Sequence, residues 1–342
     1  MDTLTVSGAD ITNLGGLSAL TNLFWLEIGP NSMLTNIAGL SSITTVTGPV
    51  ILSGNTALTN VDGLSGLTAL PGGALILQDN ASLSDLSGLS GLASIAGALA
   101  IQNNDALVNL DSLSSLTTVG SNINILDNAS LTSIGGLSGL TGFSAAVGIR
   151  NNPLLASLQG LSGLTSIAGL VLQNNDLLTH VDQLSGLTTI GNANSDLFID
   201  GNALLANLDG LADLVSLDAG LEITDNPMLD LCSALQRLLD AVDDSAMGPG
   251  PGAAGIPDVN GDVVLSGNLT GCNSVEEILG TTSPTPTATL TPTTPAPTST
   301  PTTPPGVDPT VAIPTLSPRA LAVLVVLVFG IGLGLIALRR TG

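Results

Sequence analysis

The sequence contains very few basic and aromatic residues. It has no lysine and no tyrosine, and five arginines stand against 27 acidic residues, for a formal net charge of −22. A surface with this charge repels phosphate groups, so we do not expect the protein to bind nucleic acid. The acidity suits a secreted protein, a high-salt habitat or cation binding, and it also keeps a leucine-rich chain soluble.

Side chains that commonly carry catalysis are also scarce. The sequence has no nucleophile elbow, no phosphate-binding loop and no zinc-ligand spacing. The single histidine, His180, lies in a predicted turn, and Arg150 on a predicted strand has no second basic residue near it. We therefore expect a non-catalytic protein that needs no cofactor. A solenoid enzyme acting on polysaccharides is the alternative.

What the sequence does contain is a repeat marked by asparagine. Nine asparagines follow one another at steps of 23 to 27 residues, and a tenth, Asn268, follows after 42. A period of this length is typical of a solenoid, in which each repeat forms one coil stacked on the previous one. The nine are Asn31, Asn55, Asn80, Asn104, Asn128, Asn152, Asn175, Asn202 and Asn226.

Apolar residues surround each of these asparagines in the same order. Leu75 and Leu77 lie five and three positions before Asn80, a spacing typical of a short strand with one buried face. After Asn80, apolar residues follow at every third position, beginning with Leu83 and Leu86. Glycine, serine and threonine between them disfavour helices and favour turns. The sequence therefore predicts a mostly β, right-handed solenoid with coils of roughly 24 residues.

The asparagines themselves are predicted to form a structural ladder inside the solenoid. A buried amide must be hydrogen-bonded or it destabilises the fold by about 1–3 kcal/mol, and stacking amide on amide supplies those bonds. A ligand site formed by the same row is the alternative. The predicted ladder comprises Asn55, Asn80, Asn104, Asn128, Asn152, Asn175, Asn202 and Asn226.

The repeat resembles that of a known group of surface proteins. The resemblance is carried by coils such as residues 170–178, LVLQNNDLL, which continue to residues 184–191, LSGLTTIG. These coils resemble the receptor L-domain group of leucine-rich-repeat-like proteins, over roughly residues 1–270. The resemblance implies a right-handed β-solenoid of the kind found in receptor ectodomains and bacterial surface proteins. It does not identify a partner, because such a scaffold hosts many.

The strand face that points away from the interior is the candidate binding surface. Residues two and four positions before each asparagine should point outward, and the sheet faces of repeat proteins are their usual binding surfaces. A mixed polar and apolar strip would suit an extracellular glycan or protein, whereas a merely solvated face is the alternative. The candidate face comprises Gln78, Gln102, Arg150, Gln173, Phe198 and Asp200.

Two further rows suggest other ligands. Four aspartates recur seven positions after a ladder asparagine and could bind Ca²⁺ weakly: Asp62, Asp111, Asp182 and Asp209. A row of threonines could form an ice- or mineral-binding face, although Ala93 interrupts it. These threonines are Thr44, Thr68, Thr117, Thr141, Thr165 and Thr188.

The end of the repeat region is predicted to be closed by a cap over residues 228–280, after a solenoid over residues 1–227. Met228 to Leu239 has helical spacing and no glycine, as a capping helix would. Cys232 and Cys272 could remain reduced in the core, but the signs of export favour a disulfide. Such a bridge would contribute about 4 kcal/mol to stability.

The C-terminal part has the composition of a stalk and an anchor. Residues 281–312, rich in proline and threonine, predict a disordered, extended linker. Ala320 to Leu338 is apolar and long enough for one transmembrane helix, and the arginines that follow place the solenoid outside the membrane. The predicted localisation is the cell surface, by a single membrane span or by processing after export.

A short motif precedes the apolar segment. Ile313, Pro314, Thr315 and Leu316, followed by that segment and a basic end, resemble the IPTL-type C-terminal sorting signal of bacteria over residues 313–342. The resemblance implies an exosortase-like membrane enzyme as a processing partner. At the other end of the chain Leu4 and Val6 already occupy strand positions, so we expect further sequence upstream.

The function that follows from these features is recognition or adhesion at a bacterial cell surface. A structural component of the envelope, without a specific ligand, is the alternative.

Overall fold

The structure is a computed structural model that describes residues 2–141, 145–191, 196–218, 220–239, 259 and 262–280. These belong to a compact unit that extends from Met1 to Gly280. The predicted linker 281–312, the sorting motif Ile313–Leu316 and the apolar segment Ala320–Leu338 lie outside the described residues. No helix in the described ranges is long and apolar enough to cross a membrane.

One long parallel sheet dominates this unit. It has eleven strands, and their order across the sheet is their order along the chain. Stacked coils produce this agreement between the order in the sheet and the order in the chain. The chain is therefore consistent with the predicted solenoid, and it is mostly β. The strands are Thr3–Val6, Trp25–Ile28, Val50–Ser53, Leu75–Gln78, Leu99–Gln102, Ile123–Leu126, Ala146–Arg150, Gly169–Gln173, Leu197–Asp200, Leu221–Thr224 and Val263–Ser266.

Each coil also contains a 3₁₀ turn, and in eight of the coils a two-residue strand is described after it. The 3₁₀ turns are Gly15–Leu17, Ala38–Leu40, Asp62–Leu64, Ser87–Leu89, Asp111–Leu113, Gly135–Leu137, Gln159–Leu161, Asp182–Leu184, Asp209–Leu211 and Ser233–Leu235. The short strands pair in parallel with those of neighbouring coils. They are Asn22–Leu23, Thr45–Val46, Ala69–Leu70, Ser94–Ile95, Thr118–Val119, Ser166–Ile167, Thr189–Ile190 and Ser216–Leu217.

The three-residue apolar spacing has a direct cause in the backbone. The N–H of Leu83 donates to the carbonyl of Asn80 at 2.9 Å, and the N–H of Leu89 donates to Leu86 at 2.8 Å. Bonds between residues three apart repeat every three residues, so one side chain in three points in the same direction. These leucines join the strand residues of all coils in one core.

The glycines that follow the first residue of many 3₁₀ turns are required by the stacking distance. A Cβ at Gly136 would overlap the carbonyl oxygen of Leu110 in the preceding coil, and one at Gly63 would overlap that of Ile37. From the sequence we attributed glycine to turns within a coil. At Gly136 and Gly63 the contact between coils is the reason, because a side chain there would overlap the preceding coil. Ser112, Gln183 and Ala234 occupy the same position in other turns.

The asparagines form a continuous buried ladder. Asn104 is typical: its Nδ2 donates to the carbonyls of Leu77 at 3.0 Å and Gln102 at 2.9 Å. Its backbone N–H donates to Oδ1 of Asn128 at 3.1 Å. Its own Oδ1 accepts from the backbone N–H and the Nδ2 of Asn80, each at 3.3 Å. From Asn104 to Asn226 each amide therefore bonds its own coil, the coil before and the coil after, whereas Asn55 and Asn80 bond the coils before and after.

The two ends of the ladder differ. At the C-terminal end the backbone N–H of Asn268 donates to Oδ1 of Asn273 at 2.9 Å, which closes the row within the cap. At the other end, Oδ1 of Asn31 is buried without a partner among the described residues. Gly8 stands where the preceding ladder residue would be, since Ile11 donates to its carbonyl as Leu34 donates to that of Asn31. The first coil therefore lacks the donor that every later coil supplies.

The predicted capping helix Met228–Leu239 forms only in its second half. Met228–Leu231 still belongs to the coil, and helix begins only with the 3₁₀ turn Ser233–Leu235, followed by the α-helix Gln236–Leu239. A second α-helix, Val275–Leu279, packs against it, and Nε2 of Gln236 donates to the carbonyl of Ile278 at 2.7 Å.

Cys232 and Cys272 are joined by a disulfide with an S–S distance of 2.06 Å. Both residues are buried, at 2% and 0% exposure. The bridge therefore connects the last coil to the segment that carries the end of the asparagine ladder.

We predict that Asn104→Ala lowers the free energy of unfolding by about 3 kcal/mol or more, because it leaves several buried donors and acceptors unpaired. Urea unfolding followed by circular dichroism measures the change. Asn103→Gly is the matched control, since Asn103 is exposed and has a positive φ of 52°. Equal losses in the two variants would contradict the structural role of the ladder.

We also predict that the double variant Cys232→Ser and Cys272→Ser loses about 4 kcal/mol, as expected for a bridge across 40 residues. Hydrogen exchange should show the loss first at the cap, for example at the N–H of Leu269, which donates to Leu229. The strand Leu99–Gln102 should keep its protection. An unchanged midpoint would show that the bridge does not hold the cap in place.

Candidate ligand-binding face

The outward residues of the large sheet form two continuous rows. The strand register aligns the residues two positions before each ladder asparagine: Ser53, Gln78, Gln102, Leu126, Arg150, Gln173, Asp200 and Thr224. It also aligns the residues four positions before: Ile51, Ile76, Ala100, Asn124, Gly148, Val171, Phe198 and Glu222. The structure thus brings all six candidate residues onto one face.

The chemistry of this face changes along the solenoid. The early coils carry the amides of Gln78 and Gln102, and the later coils carry Phe198, Asp200 and Glu222. In most coils a polar side chain of one row stands beside an apolar side chain of the other; the exceptions are Arg150 beside Gly148 and Thr224 beside Glu222. A face of this composition can contact hydroxyl groups and apolar surface together, as glycans and proteins both present.

Arg150 lies in the middle of the face. It is the only arginine among the residues whose side chains the structure describes. It is 9% exposed, and burial lowers the pKa of its guanidinium while the nearby charge of Asp127 opposes this. Among the described residues, no carboxylate oxygen is found within 4.0 Å of the Arg150 guanidinium. Arg150 therefore has no ion-pair partner in the described part of the chain.

Next to Arg150, three side chains form a hydrogen-bonded group. Nε2 of Gln173 donates to Oδ2 of Asp200 at 2.9 Å, and the hydroxyl of Thr224 donates to Oδ1 at 2.7 Å. Glu222 lies in the adjacent row, and burial together with the charges of Asp200 and Asp196 raises its pKa. This end of the face is acidic and internally bonded.

A further row of side chains, formed by the residues immediately before the ladder asparagines, was not predicted from the sequence. Residues immediately before the ladder asparagines have positive φ, between 52° and 57° for the non-glycine members. Asparagine, aspartate and glycine tolerate this conformation best, so the pairs Asp-Asn, Asn-Asn and Gly-Asn were the available signal. The non-glycine members are Asp79, Asn103, Asp127, Asn151, Asn174 and Asp225.

The side chains of this row also bond to one another across coils. Nδ2 of Asn103 donates to Asp79 at 2.7 Å, and Nδ2 of Asn151 donates to Asp127 at 2.7 Å. Asn103, Asp127, Asn151 and Asn174 of this row, together with residues such as Asp176, line an open depression of about 420 Å³. The row is therefore an outer ladder that runs parallel to the buried one.

The predicted Ca²⁺ residues do not gather at one place. Asp62, Asp111, Asp182 and Asp209 each begin a 3₁₀ turn and are exposed. Within the described ranges no group of three or more His, Cys, Asp or Glu residues could hold a metal ion. Nδ1 of His180 lies 3.2 Å from Oδ2 of Asp182, in the turn predicted from the sequence.

The threonine row lies elsewhere on the coils, and all six of its members are exposed. Several of their hydroxyls are already used: Thr117 donates to the carbonyl of Ala93 at 3.1 Å, and Thr188 donates to that of Thr165 at 3.1 Å. The row therefore offers a matched control surface for experiments on the sheet face.

We predict that Glu222→Gln raises the free energy of unfolding at pH 7. A carboxyl whose pKa is raised by folding destabilises the folded state once it is deprotonated, and this cost grows as the pH rises through its pKa in the folded state. The difference between variant and wild type should therefore vanish below about pH 3.5. Urea unfolding at both pH values measures it.

The effect of Glu222→Gln should be smaller in an Asp200→Asn background, because one of the repelling charges is then absent. A benefit of the same size at both pH values and in both backgrounds would show that charge is not its cause.

Comparison of the chain with protein-family models found no match, and comparison with curated protein sequences found none either. The functional assignment therefore depends on the geometry and chemistry of the sheet face.

Proposed function

We propose that the protein is a non-catalytic recognition or adhesion protein of a bacterial cell surface. In this proposal the solenoid is right-handed and binds an extracellular glycan or protein with the outer face of its large sheet. The candidate residues Gln78, Gln102, Arg150, Gln173 and Asp200 then provide the polar contacts, and Phe198 provides an apolar one.

The observation that carries this proposal is the register of the two outward rows. Equivalent positions in successive coils lie about 4.8 Å apart across a sheet, so a long ligand meets a side chain at every coil. A purely solvated face could carry similar polar residues in every coil, but here the residues at these positions differ from coil to coil. They change from amides, through a cation, to an aromatic ring and carboxylates.

The sequence beyond Gly280 supports display at the surface. The proline- and threonine-rich segment 281–312 would hold the solenoid away from the membrane, and Ala320–Leu338 would anchor it. The motif Ile313–Leu316 would direct the tail to an exosortase-like enzyme. The strong negative charge is compatible with an exported protein and argues against a nucleic acid partner.

A structural coat without a specific ligand is the competing function. It is favoured by the two asparagine and aspartate ladders, in which the most regular side chains of the chain bond to one another instead of to a partner.

The two functions can be separated with the full chain and two triple variants. One variant replaces Gln78, Gln102 and Gln173 with alanine, and the control replaces Thr117, Thr141 and Thr165 with alanine. We expect saturable binding on a glycan array, or to purified envelope proteins, that the glutamine variant loses at least tenfold and the threonine variant retains.

The opposite results would overturn the proposal. If the wild-type chain binds no glycan or envelope protein in a saturable way, the coat function is favoured. If the threonine variant alone loses binding, the ligand lies on another side of the coils.

A further inference from the structure

Two polar side chains in the middle of the face are buried without the partners they need. Asn124 and Arg150 point outward from neighbouring strands, yet they are only 7% and 9% exposed. Oδ1 of Asn124 and Nε of Arg150 have no hydrogen-bond partner among the described residues. Buried polar atoms are rarely left unpaired in a folded protein, so both atoms call for an explanation, and hydrogen bonds to a ligand would supply one.

Between these two side chains the row has a gap in its side chains at Gly148, whose backbone is itself buried. Gly148 pairs with Asn124 on one side and Val171 on the other, and most other positions of its row carry larger side chains. A Cβ at Gly148 would lie 3.2 Å from Oδ1 of Asn124 and 4.0 Å from the carbonyl oxygen of Ile123, with no other described atom within 4 Å. We call this gap the Gly148 notch; Asn124 forms one wall and Val171 the other.

The two unpaired groups require different partners. A guanidinium has five N–H donors and no acceptor, and its best partner is a carboxylate. No carboxylate of the described residues pairs with Arg150, and Asp200 on the side of Gln173 is held by Gln173 and Thr224 instead. Oδ1 of Asn124 requires a donor, such as a hydroxyl. Val171, paired with Gly148, and Phe198 on the following strand provide apolar surface on the side of the notch away from Asn124.

A single sugar ring with a carboxyl group supplies all three partners: a carboxylate, a hydroxyl donor and an apolar ring face. We propose that the Gly148 notch binds a uronate unit of an acidic saccharide. Its carboxylate accepts from Arg150, one hydroxyl donates to Asn124, and its ring lies across Gly148 towards Val171 and Phe198. This inference rests on the proposed function, because it assigns a ligand class to the centre of the same face.

The net charge of the protein makes the assignment testable by salt. The chain carries a formal charge of −22, so an acidic saccharide is repelled at long range and is attracted only at the notch. Salt screens the long-range repulsion more than it screens a buried contact. Affinity should therefore stay constant or increase between about 20 and 150 mM salt, whereas binding to an exposed basic patch would weaken.

The first experiment is calorimetry of the full chain with an oligouronate and with the same oligosaccharide after its carboxyl groups are reduced to alcohols. We expect saturable binding of the oligouronate. The reduced form should bind about 10- to 100-fold more weakly, the difference that a hydrogen bond to a charged group makes. Equal affinity for both forms would overturn the inference.

Two variants locate the site, and we expect both to fold, so that a loss of binding reports on the site itself. Gly148→Val fills the notch with the residue that the next strand carries in this row, Val171, and valine favours strands. Its unfolding midpoint should equal or exceed that of the wild type, while oligouronate affinity falls at least tenfold. Arg150→Leu introduces the residue found at Leu126 and should bind the two oligosaccharides equally.

Arg237→Leu is the matched control, because it removes the same charge from the C-terminal cap. It should leave oligouronate affinity unchanged. If Gly148→Val or Arg150→Leu binds the oligouronate like the wild type, the site is not at the notch.

The results also distinguish this inference from the proposed function. If the chain binds another glycan or a protein through Gln78, Gln102 and Gln173 but binds no oligouronate, the inference is wrong and the proposed function stands. If it shows no saturable binding to any of these ligands, both are wrong.

Discussion

The hydrogen bonds of the buried asparagines are the interaction on which the rest of the structure depends. A coil of about two dozen residues cannot enclose a core by itself, so each coil is stable only against its neighbours. The ladder amides from Asn104 to Asn226 each bond three coils at once, as Asn104 does with Leu77, Gln102 and Asn128. A coil displaced by one residue would lose these bonds and would turn its leucines outward. The amides therefore hold every coil in the same register.

That register explains why the outer face can act as a binding surface. Once the coils are aligned, positions such as Gln78 and Gln102 lie side by side even though 24 residues separate them along the chain. The regular positions supply the geometry, and the departures from regularity supply the chemistry. Arg150, Gly148 and Asn124 are such departures, and they occur together on two neighbouring strands. Specificity is therefore expected where the repeat is least regular.

The sequence predicted the strands and the outward rows well because both follow from a period of two beside a fixed asparagine. It predicted the start of the capping helix poorly. Met228 to Leu239 has spacing that fits a helix, but Leu229 continues the three-residue pattern of the coil and is fully buried there. Asn273, which receives the last ladder bond, stands outside the period and gave no signal. The outer ladder was visible only as pairs of residues that tolerate positive φ.

The sequence by itself determined the repeat, the alternation of inward and outward side chains and the row in which each residue lies, because these depend only on spacing along the chain. The tertiary structure alone decided which atoms are left without partners. Burial of Arg150 and Asn124, the contact of Gly148 with Asn124 and the close approach at Gly136 depend on distances between coils. Such distances are set by the side chains of neighbouring coils, and no pattern within a single coil contains them.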